Sequence, residues 1–126
     1  MNPFFAFLTG AYIFAIFFLA DSGAVSQIGR FNPYSLLHIP LFGILTFLII
    51  LSVDPGKEPY SPKQLLGSGF LAALVAVVDE IHQTFIPTRD GSAGDVLLDL
   101  LGIAVTLLFF HRFFPLLKKR FGWGRK

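Results

Sequence analysis

Cysteine is absent from the 126-residue sequence. Disulfides, thiol nucleophiles and thiolate metal ligands are therefore excluded. The Gly-x-Ser-x-Gly elbow that presents the nucleophile of many serine hydrolases is absent as well. The sequence thus gives no support to covalent catalysis by either of these nucleophiles.

Charge is also scarce, since only 14% of the residues are Asp, Glu, Lys or Arg. A soluble domain has about a quarter of its residues charged. Hydrophobic residues make up 54% of the chain, and 16 residues are Phe. A soluble globule of this composition would have too little polar surface, so we predict an integral membrane protein. No internal repeat or low-complexity linker occurs, and we expect a single domain over residues 1–126.

Four apolar runs are long enough for helices that cross a bilayer, which need about 20 residues each. The third run reaches this length only if the polar residues from Asp79 to Phe85 continue its helix. Pro115 is expected to end the fourth helix, because proline lacks the backbone N–H that a helix needs. We predict an all-α polytopic membrane protein, a bundle of four transmembrane helices at about residues 4–20, 34–53, 64–86 and 93–114, followed by a basic tail over residues 115–126.

The first apolar run could instead be a cleaved signal peptide. Residues 24–26, Ala-Val-Ser, resemble a cleavage site with small residues. A signal peptide also has a positively charged stretch before its apolar region. Residues 1–3 contain no Lys or Arg, which favours a retained helix.

The distribution of Lys and Arg predicts how the helices are oriented. Six of the ten lie at or beyond Arg112, and Lys57 and Lys63 lie in the predicted loop 54–63. Positive residues accumulate in cytoplasmic segments. We therefore predict N-in/C-in topology, with loops 21–33 and 85–94 facing outward. The basic tail, which includes Trp123, is interpreted as a cytoplasmic membrane anchor, and we expect no nucleic-acid partner.

With this topology, polar residues gather at the outer ends of the helices. An ionised side chain within a bilayer costs about 2.5–3.5 kcal/mol, so such residues turn inward and pair. Arg89 is the nearest cation, and Asp95, Asp99 and Gly102 form one stripe along the fourth helix. The predicted binding pocket consists of His38, Asp79, Glu80, Gln83, Arg89, Asp95 and Asp99.

Other interpretations of these residues remain open. Asp90 and Asp95 could be water-exposed helix ends, and the whole set could be a salt-bridge network that holds helices three and four in register. His38, His82 and the carboxylates could bind Zn²⁺, Mn²⁺ or Mg²⁺, but Asp79-x-x-His82 is the only compact ligand spacing. We therefore assign no metal ligand and expect no cofactor, although a divalent metal stays possible.

Residues 79–89, Asp-Glu-Ile-His-Gln-Thr-Phe-Ile-Pro-Thr-Arg, are followed by Asp95, Asp99 and Gly102. This pattern resembles the signature of the VanZ-like membrane proteins. The run Leu-Leu-His ending at His38 also resembles the second helix of that family. The chain departs from the family at Asp99, where an Asn is common, and at residues 34–35, where Tyr-Ser replaces a frequent Asp-Lys pair. The resemblance implies location in the bacterial inner membrane. It also implies an association with low-level resistance to teicoplanin, without naming a reaction.

Three hypotheses for function follow. In the first, the pocket binds the head group of an envelope lipid, a lipid-linked cell-wall precursor or a glycopeptide, with Arg89 contacting an anionic group. In the second, the protein is a hydrolase or transferase acting on lipid head groups, with Glu80 or His82 as the general base and possible metal dependence. In the third, the protein is a structural helper subunit of an envelope complex.

Overall fold

A computed structural model describes residues 1–22, 27, 36–53, 60–87 and 89–121. Within these stretches all regular structure is helical, and no strand occurs. The all-α prediction is therefore confirmed for the described part of the chain. The helices are α1 (Pro3–Leu19), α2 (His38–Val53), α3 (Pro62–Gln83), α4 (Ala93–Leu108), a π-helical turn (Phe109–Phe113) and α5 (Phe114–Phe121).

Side-chain caps mark the beginnings of three helices. The Asn2 carboxamide oxygen accepts from the backbone N–H of Phe4 at 3.0 Å, ahead of α1. At α3, Ser61 and Gln64 form a reciprocal capping box. Pro62 occupies the first helical position, where a backbone N–H would have no acceptor within the helix. Ser92 caps α4 by accepting from the N–H of Gly94 at 3.1 Å. Each cap satisfies a donor that the helix itself leaves free.

Three boundaries of the second and third helices differ from the predicted ones. The second helix begins at His38, after a turn at residues 36–37. The third helix begins two residues earlier than expected, at the cap described above, and ends at Gln83 instead of residue 86. The chain then turns, and the N–H of Arg89 donates to the carbonyl of Ile86 at 3.0 Å. This turn keeps Arg89 close to the end of α3.

The prediction that Pro115 ends the last helix was wrong. The helix passes through a π-helical turn and continues to Phe121, so the first part of the predicted tail is helical. The N–H of Phe114 donates to the carbonyl of Phe109, which shifts the hydrogen-bond register by one residue. Pro115 then occupies the first turn of α5, where a missing N–H is tolerated.

Several sequence predictions concern residues outside the described part of the chain. They are the alternative cleavage site at 24–26, the outer-loop residue Arg30, the family departure at 34–35, the loop residues 54–59 with Lys57, and the tail residues 122–126 with Trp123.

Contacts between successive helices show an antiparallel arrangement. The N–H of Asn2 donates to the carbonyl of Ser52 at 2.8 Å, which joins the start of α1 to the end of α2. At the opposite end, the rings of Phe17 in α1 and His82 in α3 lie 5.4 Å apart. The end of α1, the start of α2, the end of α3 and the start of α4 therefore share one end of the bundle. We call this end the cluster end.

The helices α2 and α4 approach each other closely. A Cβ atom placed on Gly102 would collide with the backbone of Ile39. Further along, the hydroxyl of Thr106 donates to the carbonyl of Gly43 at 3.1 Å. Glycine at both positions lets the two backbones meet, as small residues do between membrane helices.

The outer surface of the bundle is apolar. Phe7, Phe18, Leu66 and Phe70, for example, are 64–72% exposed. By length and composition, two helices can cross a membrane, Pro62–Gln83 and Ala93–Leu117, while α1 and α2 are shorter apolar helices. Large exposed apolar surfaces are typical of proteins whose surface contacts another protein or a membrane.

Candidate functional site

Seven polar residues from three helices and one connection meet at the cluster end. His38 begins α2, while Asp79, Glu80 and Gln83 lie in the last two turns of α3. Arg89 lies in the connection after α3, and Asp95 and Asp99 lie in the first two turns of α4. We call this set the polar cluster: His38, Asp79, Glu80, Gln83, Arg89, Asp95 and Asp99. Arg89 and Asp95 are partly exposed, and the other five side chains are buried.

His38 and Asp99 form the deepest contact of the polar cluster. The Nδ1 atom of His38 lies 2.8 Å from Oδ1 of Asp99, whose side chain is fully buried. When Asp99 is ionised its carboxylate can only accept, so Nδ1–H is then the donor in this pair. The neutral imidazole then keeps its lone pair on Nε2, which lies 3.9 Å from Oδ2 of Asp95.

The close approach of α2 and α4 explains this contact. Gly102 follows Asp99 by about one helical turn, and Ile39 follows His38 directly. Because Gly102 packs against the backbone of Ile39, the neighbouring His38 and Asp99 are brought within hydrogen-bond distance. In the stripe of Asp95, Asp99 and Gly102 along α4, Asp99 and Gly102 thus contact α2 directly, and Asp95 lies 3.9 Å from His38.

A second chain of hydrogen bonds joins Arg89 to Asp79 through Gln83. The Nε2 atom of Gln83 donates to Oδ2 of Asp79 at 2.8 Å. The Nη2 atom of Arg89 donates to Oε1 of Gln83 at 2.7 Å. We had expected Arg89 to pair with a carboxylate directly. Among the described residues it does not, because the amide of Gln83 occupies the space between them.

Glu80 links the end of α3 to the start of α4. Its Oε2 atom accepts from the backbone N–H of Ser92 at 2.7 Å. Gly91 makes this possible, since a Cβ there would lie 2.6 Å from the carbonyl oxygen of Glu80. The connection can therefore lie flat against the last turn of α3.

Three carboxylates of the polar cluster keep an oxygen that has no partner in the described structure. These buried atoms are Oδ1 of Asp79, Oε1 of Glu80 and Oδ2 of Asp99. The described residues of the cluster offer four carboxylates and one guanidinium, and His38 adds a positive charge only when protonated. The arrangement can therefore accept hydrogen bonds or hold a cation.

Two polar residues near the polar cluster do not join it. The ring of His82, one of the two proposed general bases, packs edge-on against Phe17, and its buried Nδ1 has no partner among the described residues. Asp90 is exposed in the connection. The other proposed base, Glu80, lies inside the cluster.

Sequence reasoning missed the residues that hold the cluster together through their backbones. Ser92 caps α4 with its side chain, and its backbone N–H also donates to Glu80. A glycine such as Gly91 is common in turns, but one sequence does not reveal that a side chain at this position would collide with the backbone of Glu80. A Cβ atom added to Gly43 would lie 3.2 Å from the Thr106 hydroxyl. Apart from its small size, nothing in the sequence marks Gly43 as a contact point between helices.

Comparison with known proteins gave one finding. A family model described as VanZ/LLP1 matches residues 34–115, which is more than half of the chain and contains the whole polar cluster. No match was found among curated proteins or among solved structures.

Proposed function

The chain belongs to the VanZ/LLP1 family, and from this premise we propose that it binds the polar head group of an envelope molecule. In this proposal it crosses the bacterial inner membrane four times, with both termini in the cytoplasm. The polar cluster then faces outward, as a binding site at the outer boundary of the membrane.

The placement of basic residues supports this orientation. Lys63 lies at the start of α3, and Arg112, Lys119 and Arg120 lie at the far end of the last helix. The antiparallel helix order puts all four at the end opposite the polar cluster. Arg89 is the one described Lys or Arg at the cluster end. This asymmetry is the one that the positive-inside rule associates with a cytoplasmic face.

The depth of the polar cluster suits a lipid head group. Asp99 lies six residues into the helix that begins at Ala93, or about 9 Å along its axis. Head groups occupy about the outer 5–8 Å on each side of the hydrocarbon region. With Ala93 at the outer surface of the head groups, Asp95 would lie among them and Asp99 just beneath them, so a bound ligand would keep its polar part near the boundary between head groups and hydrocarbon.

The observation that carries the proposal is a part-exposed guanidinium in the same cluster as buried carboxylate oxygens that have no hydrogen-bond partner among the described residues. Arg89 makes one side-chain hydrogen bond within the described structure and can hold a phosphate with its other donors. Behind it, Glu80 and Asp99 offer unpartnered oxygens to hydroxyl or amine groups or to a separate cation. An envelope phospholipid, a lipid-linked cell-wall precursor and a glycopeptide such as teicoplanin all carry groups of these kinds.

A lipid-retention experiment tests the binding. Protein purified in detergent would be incubated with phosphatidylglycerol or phosphatidylethanolamine, and bound lipid would be counted by native mass spectrometry. A hydrogen bond to a charged group contributes about 1.5–3 kcal/mol, so Arg89→Ala should weaken phospholipid binding by about tenfold or more. Arg112→Ala, at the opposite end, is the matched control and should bind as the wild type does. Equal retention by both variants would rule out Arg89 as the phosphate contact.

Teicoplanin susceptibility tests the biological role. Cells producing the wild type should tolerate more teicoplanin than cells without it, and Glu80→Gln or Arg89→Ala should remove this difference. Asp90→Asn, an exposed change outside the cluster, should preserve it. Membrane immunoblots would show equal amounts of each variant. Unchanged susceptibility in well-produced cluster variants would refute a role of the cluster in resistance.

A catalytic alternative is favoured by one observation about Glu80. Its Oε1 atom is buried, has no hydrogen-bond partner in the described structure and lies 3.9 Å from Nδ1 of His38. A carboxylate in this position could act as the general base of a lipid head-group hydrolase or transferase. Release of phosphate or alcohol from labelled lipids, absent in Glu80→Gln, would support this alternative over binding alone.

A further inference from the structure

Within the polar cluster, three helices bring together a set of possible metal-ligand atoms. His38, Glu80 and Asp95 belong to α2, α3 and α4. Each offers one ligand atom that lies within 4.8 Å of those of the other two. We propose that these three residues bind a divalent transition-metal ion, with Zn²⁺ as the best match. The proposal does not depend on which head group binds, because the ion can be measured without lipid.

The orientation of Glu80 gives independent support. Its Oε2 atom is fixed by the N–H of Ser92 at 2.7 Å. Its Oε1 atom then points toward His38, at 3.9 Å from Nδ1, and has no hydrogen-bond partner in the described structure. The residue is only 6% exposed. A buried carboxylate oxygen without a partner is costly, and a bound cation would remove that cost.

His38 is held in the way typical of metal-binding histidines. Such a histidine usually donates its second ring N–H to a carboxylate, which fixes the tautomer and the ring orientation. The contact of 2.8 Å between Nδ1 and Oδ1 of Asp99 supplies this arrangement. It leaves Nε2 for the ion, on the side where Asp95 Oδ2 lies 3.9 Å away. Asp99 is thus a positioning residue for the proposed site.

The spacing of the ligand atoms is close to that required. With Zn–N and Zn–O distances of about 2.0–2.2 Å, neighbouring ligands of a tetrahedral ion lie about 3.4 Å apart. The separation of 3.9 Å between Nε2 of His38 and Oδ2 of Asp95 needs to shorten by about 0.5 Å, and the ligand atoms that lie up to 4.8 Å apart by at most about 1.4 Å, which side-chain rotation can provide. Three protein ligands leave the fourth position open, as in zinc sites that bind water or substrate.

The donor types narrow the choice of ion. Imidazole favours Zn²⁺ and other later transition metals, while carboxylates are also suited to Mn²⁺. One imidazole with two carboxylates therefore fits Zn²⁺ first and Mn²⁺ second. Such an ion would also offset the excess negative charge of the carboxylates in the polar cluster. Together with Arg89, it could contact the same anionic phosphate.

Zinc titration of the full chain tests the site. Protein freed of any affinity tag and stripped with a chelator would be titrated with Zn²⁺ in lipid-free detergent, by calorimetry and by metal analysis after desalting. We expect one equivalent to bind. His38→Gln and Glu80→Gln should each weaken binding at least 100-fold. Asp90→Asn and His111→Gln are matched controls outside the site and should bind as the wild type does.

Asp99→Asn separates positioning from folding. The amide still offers an oxygen to His38, so thermal unfolding of the metal-free protein should remain unchanged. Zinc affinity should fall about 10–100-fold, as for other orienting partners of metal-bound histidines.

Three results would overturn the proposal. One is failure of the wild type to retain Zn²⁺ or Mn²⁺ after desalting. Another is wild-type zinc affinity in His38→Gln and Glu80→Gln variants that are folded by circular dichroism. The third is selective binding of an amine-bearing head group by a chain that takes up neither ion, since an ammonium group would then be the cation of the cluster.

Discussion

Gly102 of α4 packs directly against the backbone of Ile39 of α2, with no room for a Cβ atom between them. This contact fixes the separation of the two helices beside the polar cluster. The pair His38 and Asp99, next to it on the same two helices, lies within hydrogen-bond distance as a result. The geometry of the polar cluster thus depends on a residue that has no side chain.

Gly102→Ala should destabilise the protein. The added methyl group meets the backbone of Ile39, and backbone cannot move aside as a flexible side chain can. Overpacking of this kind lowers the free energy of unfolding by about 1–3 kcal/mol. Thermal unfolding in detergent, followed by circular dichroism, measures the effect.

Gly67→Ala is the matched control for that change. Gly67 also lies within a helix, but an added Cβ there meets nothing within 4 Å. Since alanine is a better helix former than glycine by about 0.5–1 kcal/mol, this variant should unfold at the same temperature or higher. If both variants unfolded at the same temperature, close packing of α2 and α4 would not explain why position 102 is a glycine.

Asp99→Ala should cost more than Asp99→Asn. The alanine variant leaves Nδ1 of buried His38 without its partner, which lowers the free energy of unfolding by about 1–3 kcal/mol. The asparagine variant keeps an acceptor at the same place and matches the residue that is common in VanZ-like sequences. Chemical denaturation of both variants gives the comparison, and equal losses would contradict a hydrogen bond at this position.

Gln83→Leu should break the link between Asp79 and Arg89. The change removes the donor to Oδ2 of Asp79 and the acceptor for Arg89, at a cost of about 1–3 kcal/mol in unfolding free energy. The double variant Asp79→Leu with Gln83→Leu should lose less than the sum of the single changes, because no buried carboxylate is then left unpaired. Additive losses in a denaturation cycle would show that the two side chains are not coupled.

The orientation in the membrane can be tested on a background free of cysteine. Asp90→Cys places a thiol at the cluster end, and Lys119→Cys places one at the opposite end. A membrane-impermeant maleimide added to intact spheroplasts should label Asp90→Cys, and should label Lys119→Cys only after the membrane is permeabilised. The reverse pattern would invert the predicted N-in/C-in topology.

The sequence predicted the positions of the helices well where local properties, such as apolar run length, decide them. The four apolar runs became the four helices, and Ser92, a residue type that favours helix N-caps, caps the fourth. Local reasoning failed at Pro115, because the π-helical turn before it changes the hydrogen-bond register without a mark in the sequence. It also placed the end of α3 three residues too late, where the turn before Arg89 competes with the helix.

For the candidate site, the sequence by itself determined which polar residues are present and at which helix ends they occur. A polar residue within a long apolar helix is costly, and charged residues are scarce in this chain. Each polar residue at a helix end therefore stands out in the sequence. Only the tertiary structure decided the pairings: Asp99 with His38, Gln83 between Asp79 and Arg89, and Glu80 with the backbone of Ser92. These partners depend on differences of a few ångströms between helices that are far apart in the chain. Packing contacts such as the one at Gly102 set those distances, and no spacing along the sequence records them.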